Sequence, residues 1–207
     1  MPHLLRIDSS ARRDGSVSRD LGNKFEAAWG ARGADFSVTH RDLVSDPVPQ
    51  IAQATITGFY TSPHDMTDEL RAATALSDKL ITELKSADEL LLTAPMYNFT
   101  VPSALKAWID QIVRINHTFA YDGQSFKGLL AARRATVIGA YGAGGYLNGG
   151  SFAVADFCWP YLKFVLGFLG IAAVEHISVE ATRGDAADLA KHLDGASARL
   201  VLAATAP

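Results

Sequence analysis

Read as a pattern of apolar runs, the chain predicts a three-layer α/β/α fold on a five-stranded parallel sheet. Short apolar strands recur along it, segments of helical periodicity separate them, and no apolar stretch reaches the ~20 residues of a membrane span. With 207 residues, 48% hydrophobic and 20% charged, the chain can bury one sizeable core. Residues 1–207 read as a single domain, without repeat, linker or low-complexity tract.

The elements follow in order. His3 to Asp8 is a short apolar strand, and Val17 to Trp29 a helix with Leu21, Phe25 and Ala28 on one face. Asp35 to Arg41 alternates as a strand, and Val44 to Ser62 is irregular, with helical character in part. Asp68 to Leu84 carries the stripe Leu70, Ala73, Leu76, Leu80, Ile81, Leu84. A strand over 89–94 precedes a helix at about 102–114, entered through Pro102. After an irregular segment come the strand Arg134 to Ala140, an apolar helix Phe157 to Leu169, the strand Val174 to Val179 and a closing helix Asp185 to Leu202. Five strands alternating with helices require a sheet covered on both faces, and the element count suggests the order 2-1-3-4-5.

Composition excludes several partners. A net charge of −3 with mixed signs gives no electrostatic basis for binding nucleic acid or an anionic membrane. The N-terminal MPHLLRIDSS is too short and polar for a signal peptide. One cysteine, Cys158, allows neither an internal disulfide nor a cysteine metal cluster, so a cytoplasmic location is the default. Six scattered histidines lack metal-ligand spacing.

Three loops carry the chemistry, each following a strand and so gathered on one sheet edge. Ser9 to Ser18 leads into the first helix, where unpaired backbone N–H groups and the hydroxyls of Ser10, Ser16 and Ser18 suit a phosphate monoester. It lacks the Gly-Lys-Ser/Thr ending of a triphosphate loop and the spaced glycines of a dinucleotide fingerprint. The plainer reading makes Ser18 an N-cap and the rest a polar loop. Ala94 to Pro102 offers two aromatic faces and one amide, an inventory suited to a flat heteroaromatic ring with polar edges; an ordinary βα turn is the alternative. Tyr141 to Tyr146, rich in glycine, lets backbone amides approach a planar ligand or simply forms a flexible turn. Together a phosphate cradle, an aromatic platform and a glycine wall describe a mononucleotide site. No G-x-S-x-G elbow, H-E-x-x-H motif or spaced carboxylate pair supports hydrolase, zinc or glycosidase chemistry.

Ser10 with Ser16 and Ser18, the block Pro95 to Phe99, and Pro102 to Asp110 resemble FMN-dependent NADH:azo-compound and quinone oxidoreductases of the flavodoxin-like quinone reductase superfamily. Phe119 to Tyr121, Gly144-Gly145 and Tyr161 to Ile171 extend the match over nearly the whole chain. The resemblance implies a flavodoxin-like fold and a homodimer passing two electrons from NADH or NADPH to quinones and azo compounds by a ping-pong hydride mechanism. FMN carries that chemistry, so no catalytic side chain is assigned. It further implies the phosphate at Ser10, Ser16 and Ser18 with Val17 beside them. The ring would lie at Met96, Tyr97, Asn98 and Phe99, and its remaining polar edge at Gly142, Ala143, Gly144 and Gly145. Phe119 and Tyr121 would help cover the substrate site of the dimer. Where family members often carry a serine, an arginine and a later histidine, this chain has Gly142, Ala143 and Leu147. A flavodoxin-like electron carrier serving a protein partner, and a flavin-free binding protein, are the rival readings.

Overall fold

The computed structural model describes residues 1–206. Its strands are β1 (His3–Asp8), β2 (Ser37–Asp42), β3 (Glu89–Pro95), β4 (Phe119–Tyr121), β5 (Phe126–Gly128), β6 (Arg134–Ala140) and β7 (Ala173–Val179). Its helices are α1 (Val17–Gly30), α2 (Gln53–Tyr60), α3 (Asp68–Ser86), α4 (Ser103–Ile112), α5 (Trp159–Phe168) and α6 (Ala186–Thr205). Five strands pair in parallel in the order β2-β1-β3-β6-β7, the doubly wound order expected from the element count.

The two faces of the sheet follow from its period of two. Leu4, Leu91, Ile138 and Ile177 pack with Leu21, Phe25 and Trp29 of α1 and Leu200 of α6. Their neighbours Leu5, Leu90, Leu92 and Val137 face α3, α4 and α5 through Leu80, Trp108 and Leu162. All seven residues of the central β3 are buried, as a parallel strand covered on both sides must be.

The structure sharpens three regions. The irregular 44–62 stretch contains α2. The segment after α4 holds an antiparallel hairpin, β4 with β5, whose three-residue strands are too short to show a period. It presses directly on the end of α5: a Cβ at Gly128 would stand 2.2 Å from the Gly170 nitrogen, so only glycine fits. The apolar stretch from Phe157 becomes α5 only at Trp159, because Asp156 accepts from the Cys158 and Trp159 amides at 2.9 and 3.1 Å and sets the helix start.

Beneath the C-terminal ends of the strands lies an aromatic stack. The His176 ring lies on Trp159 at 4.3 Å, and Tyr141 meets it edge-on at 6.2 Å. Gly139 makes room, since a Cβ there would come within 2.7 Å of His176 Nε2. Burial, more than the neighbouring Arg199, lowers the His176 pKa to about 4, with Asp156 pulling the other way. The ring is therefore neutral in the folded protein at pH 7, while the unfolded chain takes up a proton near the ordinary 6.5. Stability must fall as pH drops from 6.5 toward 4. His176→Gln should lose less stability than the parent between pH 7 and pH 5, by on the order of 1–2 kcal/mol in urea unfolding. Equal losses would place the acid sensitivity in the carboxylates instead.

Candidate functional site

Four loops leave the C-terminal ends of β1, β3, β6 and β7 and enclose a cleft of about 960 Å³. Position follows from topology: parallel strands deliver their following loops to one edge.

The first loop is fixed from below. Arg19 of α1 donates to the Ser10 carbonyl at 2.9 Å and to Asp42 at 2.7 Å. Burial would raise the Asp42 pKa, but Arg19 and the Val44 amide outweigh it and hold the carboxyl well below the usual range. Above this pair the three hydroxyls converge. Ser16 Oγ donates to Ser10 Oγ at 2.9 Å and lies 3.4 Å from Ser18 Oγ. Ser16, not Ser18, is the N-cap residue of α1, yet its side chain makes no cap hydrogen bond. Ser18 lies within the first turn, which corrects the plainer reading of it as the cap. The amides of Val17, Ser18 and Arg19 have no acceptor among the described residues. A cluster of free amides and hydroxyls, with Arg12 also on the cleft wall, fits a phosphate dianion.

The second loop is a two-residue reversal. Tyr97 and Thr100 exchange backbone hydrogen bonds at 3.0 and 3.1 Å, leaving Asn98 and Phe99 at φ 48° and 74°. Both central residues are left-handed, as in a type I′ turn, where Asn is at home and a Phe is strained. Tyr97 ties this loop to the first, its hydroxyl accepting from the Ala11 amide at 3.3 Å. The Phe99 carbonyl accepts from the Phe157 amide at 2.9 Å, and the Phe99 ring is left 52% exposed.

The third loop presents backbone. The amides of residues 142–145 have no acceptor among the described residues. The Gly142 and Ala143 carbonyls accept from the fourth loop, from Arg183 and Ala181 at 3.2 Å each. Glu180 takes the Tyr146 and Leu147 amides at 2.6 and 3.0 Å.

Of the residues singled out in the sequence, Ser10, Ser16, Val17 and Ser18 line the cleft, as do Met96, Tyr97, Asn98 and Phe99, and Gly142, Ala143 and Gly144. Gly145 stands behind the wall, where its φ of 92° turns the chain against Ser151 and Phe152. Phe119 and Tyr121 are outside this cleft. They join Phe126 and Phe168 in an aromatic shelf, with Phe119 at 4.8 Å from Phe168 and Tyr121 at 4.6 Å from Phe126. The lining residues to which the sequence reading gave no site role are Arg12, Gly15, Pro95, Ala140 and Tyr146, and it passed over the whole turn 181–184. That turn also follows a strand at the same sheet edge, which is the signal that could have found it. Tyr141, by contrast, is buried with its hydroxyl on Asp156 at 3.1 Å, and burial, then Asp156, raises its pKa far above normal.

Two outcomes follow from this geometry. A hydrogen bond to a charged group contributes about 1.5–3 kcal/mol, so Ser16→Ala/Ser18→Ala should weaken binding of FMN, the phosphate monoester the resemblance implies, by roughly two to four powers of ten if the contributions add. Titration of apo-protein by flavin fluorescence reads this, and an unchanged affinity would reduce both hydroxyls to loop structure. Phe99→Gly relieves left-handed strain of about 1–3 kcal/mol, so the apo-protein should melt no lower than the parent while binding FMN less tightly. A lower melting temperature would show the ring to be a structural contact.

Known proteins share this fold. The profile described as a flavodoxin-like fold matches residues 2–201. An FMN-dependent NADH:quinone oxidoreductase of Xanthobacter autotrophicus is 56% identical over 175 residues, 84% of either chain. One of Nostoc punctiforme is 42% identical over 188 residues, 90% of this chain and 91% of that one. Among solved structures, an FMN-dependent NADH-azoreductase from Bacillus anthracis in complex with FMN is 25% identical, with a TM-score of 0.87 over 99% of this chain and 98% of that one. An azoreductase from the Sterne strain, at 23% identity and a TM-score of 0.89 over 99% of either chain, shares the fold. The chain belongs to the FMN-dependent NADH:quinone oxidoreductase family of flavodoxin-like proteins.

Proposed function

We propose that the chain, 1–207, acts as one FMN-binding domain of a cytoplasmic homodimer that passes electrons from NADH to quinones, and to azo compounds, in a ping-pong cycle. The observation that carries this reading is the convergence on one cleft of three serine hydroxyls, a left-handed aromatic turn and a row of unpaired amides. FMN held there would supply the redox chemistry, two-electron exchange between the nicotinamide and the acceptor.

The protein's own groups bind and orient. The hydroxyls of Ser10, Ser16 and Ser18 and the first amides of α1 hold the phosphate end. Asn98 offers its side-chain amide to the ring, and Met96, Tyr97 and Phe99 form the wall beside it. The 142–144 amides face the polar edge and favour negative charge there, as an oxyanion site does. No side chain is assigned the proton to product; water reaches the open cleft. NADPH is the alternative donor, and Arg12 and Arg183 on the cleft lining are cations that could meet its extra phosphate. A cytoplasmic location fits a nicotinamide-dependent enzyme whose one cysteine is buried and unpaired; among the described residues no helix is long and apolar enough to cross a membrane.

Support for the homodimer comes from apolar surface. Phe126 is 60% exposed and Phe164 68%, both packed against Phe168 on the flank formed by the hairpin and α5, and Phe157 before α5 is 61% exposed. Patches of this kind mark association, and two-fold pairing is its commonest form. Phe119 and Tyr121, outside the lining of their own cleft, would in that dimer cover the partner's.

Phe119→Ala/Tyr121→Ala should change the ratio of kcat/KM between a small and a bulky quinone by about tenfold, within the 0.5–1.5 kcal/mol of an aromatic contact, while FMN affinity stays within threefold. Light scattering of dilute enzyme during turnover is the deciding measurement. A fully active monomer overturns the shared site.

A further inference from the structure

The amide wall at 142–145 has no charged side chain of its own. One cation reaches it from the neighbouring turn. Ala181, Thr182 and Arg183 donate their amides to the carbonyls of Ala143, Tyr141 and Gly142 at 3.0–3.2 Å. Thr182 Oγ1 adds a fourth bond to Tyr141 at 3.1 Å. Ala181 holds a left-handed φ of 54°, a conformation that persists in a non-glycine residue only where its surroundings impose it. The stem of Arg183 runs over Gly142, whose missing Cβ would lie 3.8 Å from Arg183 Cδ. Among the described residues the guanidinium has no ion-pair or hydrogen-bond partner, and no Asp or Glu lines the cleft. Glu180, next but two along the chain, already accepts both the Tyr146 and Leu147 amides.

We propose that Arg183 sets the electron affinity of the bound flavin, by placing an uncompensated positive charge beside the ring edge that the 142–144 amides face. This rests on the reading that the cleft holds FMN with its polar edge toward that wall. Hydride transfer from NADH moves two electrons and one proton together, releases NAD⁺ and leaves one negative charge at the N1–C2 edge of the ring. A cation there interacts more favourably with the reduced flavin than with the neutral oxidised one, and such differential binding is what shifts a potential. Arg183 is therefore a tuning residue: it forms and breaks no bond, and its effect lies in the equilibrium between the two flavin states.

The experiment compares parent, Arg183→Gln and Arg183→Lys as FMN-loaded proteins. The midpoint potential is measured by anaerobic dye equilibration, and the dissociation constant of oxidised FMN by fluorescence titration of the apo-forms. Arg183→Gln should lower the ratio of reduced to oxidised FMN affinity about tenfold, about 30 mV more negative for a two-electron couple. Oxidised-FMN affinity should change less than threefold, and Arg183→Lys should restore most of the shift. A ratio altered less than threefold overturns the inference. So does an equal loss of both affinities, which would make Arg183 a simple anchor. Ser16→Ala/Ser18→Ala runs alongside: if that variant binds FMN normally, the hydroxyls are loop structure and the phosphate placement on which this inference rests falls, whereas weakened binding there with an unmoved potential in Arg183→Gln defeats this inference alone.

Discussion

The cleft depends first on a buried charge. Arg19 is 9% exposed, and its guanidinium is shared between Asp42 at the end of β2 and the carbonyl of Ser10 beyond β1. Taking a guanidinium out of water is costly unless its donors are met, and here carboxylate and carbonyl meet them. The same cluster continues inward: Asp8 lies 3.6 Å from Arg19, pairs with Arg6 at 3.1 Å and accepts from Thr93 of β3 at 2.8 Å. One ionic network therefore keys β1, β2, β3 and α1 to each other at the point where the loops leave the sheet. Removing one member would strand the others as unpaired buried charges, which costs about 3–5 kcal/mol.

From that base the order passes upward through hydrogen bonds. Tyr97 carries it from the first loop to the second, the Phe99 carbonyl from the second to the segment before α5, and Gly145 from the third to Phe152 at 2.8 Å. Left-handed residues sit where the links meet, at Asn98, Phe99 and Ala181. Strain of this kind survives because neighbouring bonds over-determine the backbone, and it preorganises the walls before any ligand arrives.

Much of this was legible in the sequence. The strands stood out because five apolar runs alternate with helical stripes, and three of the four loops because each follows a strand with an unusual inventory of serine, aromatic or glycine residues. What escaped is physical in origin. Arg19 and Asp42 are 23 positions apart, and no period connects them. The hairpin strands are three residues long, below the length at which alternation can be seen. The 181–184 turn carries no motif, only a location. Whether Ser16 or Ser18 begins α1 is decided by one pair of backbone angles. The displacement of Phe119 and Tyr121 onto the α5 flank is a tertiary fact, set by the close fit of Gly128 against Gly170.

The wall at 142–145 offers the ligand peptide groups instead of side chains, and this changes what inheritance can do to it. Every amino acid but one brings the same N–H to the position it occupies, so drift at Ala143 or Gly144 alters bulk and charge around the donors without deleting them. Proline alone would erase a donor outright. Substitution can therefore diversify the side chains at this wall, while the donors it presents to the cleft are carried forward by the backbone itself.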